Sequence, residues 1–117
     1  MPLMSLVDKL LRTAYEDTEL LRKNNAQGDV FVRPRDVDFL LRAPTQEKAD
    51  IAAQFITDNQ YGRARVQGPK GGWSVLVTIN MPIEQNTICS VSALMVCLSR
   101  LFGLEYDGWG CVLQRDA

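Results

Sequence analysis

The chain has 117 residues, 46% of them hydrophobic, and its 13 basic and 14 acidic side chains leave a net charge near -1. That length suits one domain, since domains commonly run to about 100–150 residues, and the balanced charge excludes a global field that would gather nucleic acid or anionic lipid. Histidine is absent, which excludes a Ser-His-Asp or Cys-His nucleophile, a histidine-ligated metal and an imidazole pH switch.

The N-terminal segment, residues 1–28, is expected to be a helix over 3–23. Leu3, Leu6, Val7, Leu10, Leu11, Ala14 and Leu21 fall on helical spacing, and Asp8, Lys9, Arg12, Glu16, Asp17 and Glu19 cover the opposite side. Asn24, Asn25 and Gly28 supply its stop. A linker-like stretch follows from Gln27 to Pro34, holding the small apolar group Val30, Phe31 and Val32.

From residue 35 to 114 the pattern changes to strands and helices in alternation. Asp36–Arg42 alternates as a strand, with Val37, Phe39 and Leu41 on one face. Thr45 is placed to cap a helix running to about Asn59, whose stripe of Ala49, Ala52, Ala53 and Ile56 predicts close packing on a sheet. Arg63–Gln67 and Trp73–Met81 are strands joined by the turn Gly68-Pro69-Lys70-Gly71-Gly72. Glu84–Phe102 reads as a second long helix, closed by Gly103, and Leu104–Leu113 as a last strand in which Gly108 and Gly110 predict a bulge. The order β-α-β-β-α-β, with right-handed crossovers, predicts an α+β ferredoxin-like plait. Two helices lie on one face of a four-stranded antiparallel sheet, and the N-terminal helix is additional. Phe39, Val66, Trp73, Val75, Val77 and Ile79 are its expected inner face.

Cys89, Cys97 and Cys111 are odd in number and lack CxxC spacing, so they predict small buried hydrophobes, with no disulfide framework and no metal site. Met1–Ser5 shows no signal-peptide pattern, and the apolar run Ile88–Phe102 is broken by Ser90, Ser92, Ser99 and Arg100 and is too short to span a bilayer. A cytoplasmic setting with no membrane contact is expected. No nucleophile–base pair, catalytic carboxylate pair or phosphate-binding loop is visible, so neither an enzyme nor a cofactor is expected.

Composition does not account for Glu105-Tyr106-Asp107-Gly108-Trp109-Gly110, which packs two aromatics, two carboxylates and two glycines into six residues. Strand alternation sends Tyr106 and Trp109 to opposite faces unless Gly108 shifts the register by one residue. The run at 106–110 resembles the hallmark of the regulators of ribonuclease E activity, type B, and the element order resembles that family over nearly the whole chain. The resemblance implies a ferredoxin-like, non-catalytic protein that binds ribonuclease E and modulates RNA decay, with Glu105, Tyr106, Asp107, Gly108, Trp109 and Gly110 as partner-binding candidates. The chain departs from the strongly acidic members in its near-neutral charge.

The residues leave two other readings open. One is an RNA-binding plait, against which stand the acids Asp36 and Asp38 and the lack of aromatics on the outer face of the expected central strands. The other is a small-ligand sensor. The N-terminal helix is free to cover its own domain, to meet a partner, or to pair with its copy in a homodimer.

Overall fold

Strict alternation along three segments builds the sheet. The computed structural model describes residues 5–116. Its elements are α1 (Leu6–Ala26), β1 (Arg35–Ala43), α2 (Gln46–Asp58), β2 (Arg63–Gln67), β3 (Trp73–Met81), α3 (Gln85–Phe102) and β4 (Glu105–Cys111). The fold is α+β, with three helices and one four-stranded sheet in the order β2-β3-β1-β4, every pairing antiparallel.

β1 and β3 run in register over nine residues, from Arg35 opposite Met81 to Ala43 opposite Trp73. Their odd-numbered residues face the helices. Val37, Phe39, Leu41, Val75 and Val77 are buried against Ala49, Ala52 and Ile56 of α2 and Ile88, Met95 and Val96 of α3. The alanines bring α2 close to the strands. Thr45 caps it as expected, its hydroxyl accepting from Lys48 N–H at 3.2 Å. α3 ends at Gly103, whose φ of 73° supplies the left-handed turn that side chains resist.

The other face of the sheet is polar and carries no helix. There Asp36 accepts from Asn80 and Arg63, and Asp38 accepts from Thr78. The Asn80 amide, and then the Arg63 guanidinium, hold the Asp36 carboxyl below its ordinary range.

α1 corrects the expectation in two ways. It runs on through Asn24 and Asn25, and it packs on α3 with a mixed stripe inward, in which Leu10 and Leu21 of the expected apolar set are joined by Thr13, Asp17 and Asn24. Thr13, Asp17, Leu21 and Asn24 are buried, whereas Val7, Leu11, Ala14 and Tyr15 face solvent. The expected stripe also named Leu3, which lies outside the described residues. α1 turns this way because its buried polar groups find partners: Asn24 bonds Asp29 and Asp17 bonds Trp109.

The stretch after α1 is no loose linker either. Asp29 and Arg35 form a fully buried ion pair at 2.6 Å, and Asp29 also accepts from Gln114 N–H. Val30 N–H donates to the Gln114 carbonyl, and Ile83 N–H donates to the Phe31 carbonyl. The segment is thereby sealed between the last strand and the start of α3.

Breaking that pair from one side strands a charge in the interior. Asp29→Ala is expected to cost about 3–5 kcal/mol in chemical denaturation. Arg33→Ala removes the exposed pair with Asp116 and is expected to stay within about 1 kcal/mol.

Candidate functional site

β4 holds the unusual run, and its register explains the composition. Trp109 stands opposite Phe39 and Tyr106 opposite Leu41, so β4 fits two intervening residues where β1 has one. The extra residue is accommodated at Gly108, with φ of 92°. Phe39 and Leu41 share the inner face, so the bulge turns both aromatics inward. This is the one-residue shift that the glycine permits.

The two aromatics then do different work. Tyr106 is buried, its hydroxyl 2.9 Å from the Ser92 hydroxyl on α3. Trp109 is half-buried, and its indole N–H donates to Asp17 Oδ1 on α1 at 2.9 Å. Asp107 remains on the outer side, where Arg42 donates to it at 2.8 Å. Glu105 meets Lys9 at 3.5 Å, and the same ammonium donates to the Tyr106 carbonyl at 3.3 Å. Gly110 is exposed opposite Asp38 and stands apart from the others.

Together these contacts hold α1 away from β4 and leave a groove of about 860 Å³ between them. Lys9, Arg12, Glu16 and Asp17 form one wall, residues 105–109 the other, and Ser99 and Arg100 the end of α3. Five of the six candidate residues thus line one groove. The α1 wall was not visible in the sequence as a site. The signal was an acid, Asp17, spaced with Leu10, Thr13, Leu21 and Asn24 on what became the buried stripe.

Asp17 dominates the electrostatics of the groove. It is only 3% exposed, and its Oδ2 has no hydrogen-bond partner among the described residues. Burial pushes its carboxyl up from the ordinary 3.8, and the neighbouring Ser92 and Trp109 hold back part of the rise. Burial likewise pushes up the Tyr106 phenol and the Cys89 thiol, so neither is an activated nucleophile at neutral pH. Among the described residues no cluster of three or more carboxylates and cysteines could hold a metal ion. The arrangement suits recognition by shape and charge.

The family model described as regulator of ribonuclease activity B matches residues 14–111, which run from the third turn of α1 to the last residue of β4. The chain belongs to this family. No match is found among curated proteins. The family is one of regulators of ribonuclease activity. The matched span covers the β4 wall of the groove and, on the α1 wall, Glu16 and Asp17; Lys9 and Arg12 precede it. No helix among the described residues is long and apolar enough to cross a membrane.

The Asp17 shift fixes the sign of a pH effect. Its folded-state pKa is raised, so its contribution to stability is complete below 3.8 and is lost as the pH rises through the folded value. Asp17→Asn keeps an acceptor for Trp109 and removes the buried charge. It is expected to melt higher than the parent at neutral pH, with the gap closing as the pH falls toward 4. Gly108→Val forces a branched side chain into positive φ and is expected to cost about 1–3 kcal/mol, read by the same melts.

Proposed function

We propose that this chain is a non-catalytic regulator that acts by binding a ribonuclease of the ribonuclease E type through the groove between α1 and β4. The observation that carries the reading is the coincidence of the family match with the geometry of β4. The residues 105–109 that mark the sequence line a single groove. Trp109 is half-buried at its wall, and tryptophan is enriched among residues that anchor protein interfaces.

Further support comes from α1. Val7, Leu11 and Tyr15 follow one another at intervals of four residues and are each about two-thirds exposed, an apolar stripe that one domain leaves to another protein or to a second copy. The strand order, read from β4 as β4-β1-β3-β2, together with two helices on one face, supports a ferredoxin-like plait. Three free cysteines suit a reducing, cytoplasmic setting. The RNA-binding reading finds less support, because the open sheet face presents Asp36 and Asp38 where such plaits stack bases.

The test is direct binding between the full chain and purified ribonuclease E. A complex in the parent is expected to weaken with Asp107→Ala while the melting temperature stays close to the parent's, since an exposed pair contributes about 0–1 kcal/mol. Absence of any complex with the parent chain overturns the ribonuclease E assignment.

A further inference from the structure

The groove contains more unmet hydrogen-bonding capacity than its own chain uses. Asp17 and Ser99 both line it, both are 3% exposed, and among the described residues Asp17 Oδ2 and Ser99 Oγ have no hydrogen-bond partner. Buried polar atoms in folded proteins are almost always paired, so two such atoms on one groove make it the candidate site for a polar ligand group.

Charge identifies that group. Lys9 is paired with Glu105, Arg12 with Glu16, and Asp107 with Arg42. Asp17 is the carboxylate left without a cationic partner, and it needs a donor. The last turn of α3 ends at the same groove, and the carbonyl end of a helix carries a partial negative charge that favours cations. The opposite wall already receives an ammonium in this way, since Lys9 sits between the Glu105 carboxylate and the Tyr106 carbonyl.

We propose that the groove is a docking site for a peptide segment of a protein partner, whose arginine or lysine side chain enters beside Lys9 to donate to Asp17 Oδ2 and Ser99 Oγ. This rests on the protein-binding reading above and names the chemistry of the partner. Volume favours a peptide over a lone cation, because about 860 Å³ accommodates several side chains. Oδ2 is closed off in the free chain, so the incoming side chain reaches it only as groups of the groove wall move aside. Its entry exchanges an unsatisfied carboxylate oxygen for a charge-assisted hydrogen bond.

The probe is a fluorescein-labelled peptide of alternating arginine and valine, titrated into the full chain at physiological ionic strength and read by anisotropy. The arginine peptide is expected to bind saturably and at least about tenfold more tightly than the same peptide with glutamine for arginine. Asp17→Asn is expected to abolish that preference. Glu19→Gln, which removes the same charge from α1 outside the groove, is expected to retain it. Equal binding of both peptides, an equal loss in the two variants, or competition by spermidine as strong as by unlabelled peptide each overturns the proposal. The glutamine comparison uses the unmodified chain, so the test survives a poorly folded variant. Ribonuclease E retained in full by Asp17→Asn removes this inference and leaves the regulator reading standing. Peptide binding without ribonuclease E binding does the reverse.

Discussion

A single hydrogen bond, from the Trp109 indole to Asp17, determines how the first helix meets the last strand. It can form only because Gly108 turns Trp109 to the inner face, and because α1 presents an acid where an apolar residue would ordinarily sit. Both partners accept a local disadvantage, a left-handed backbone on one side and a desolvated carboxylate on the other. Such departures from local preference collect at functional sites, and here the two departures meet in the same groove.

The remainder of the domain is conventional, and its regularity is what allows these exceptions. Phe39 and Leu41 fix the positions of Trp109 and Tyr106 by direct opposition across the β1–β4 ladder. Ser92, fully buried in α3, fixes the Tyr106 hydroxyl. The core cluster holds both supports rigidly, so the groove walls are set by packed elements and not by loops. With Asp29 and Arg35 sealing the far end of α1, the helix is attached at two places along its length.

Legibility in the sequence followed the physics of each element. β2 and β3 lie over the residues their alternation predicted, and the Thr45 cap and the Gly103 stop act as their types require. The strands and the helices that cover them depend on local periodicity, which a single sequence displays. α1 was misread because its orientation depends on partners far along the chain, Trp109 and Asp29, and not on its own apolar content. Val7, Leu11 and Tyr15 carry the stronger hydrophobic signal, yet they face outward. The candidate run at 105–110 was visible from composition, and the bulge from its glycine. The opposing wall from Lys9 to Asp17 was not, since a charged helical face ordinarily means solvent.

The distance along the chain between Asp17 and Trp109, 92 residues, has a consequence for how the protein is made. α1 is made before β4, so until that strand is added the helix has α3 to pack on but lacks its Trp109 contact. Contacts of such sequence separation form late, because the intervening chain must be ordered before they yield any gain. The groove exists only in molecules whose β4 has been added to β1, since residues 105–109 form one of its walls. A nascent or truncated chain lacking that strand can present the helix but not the site.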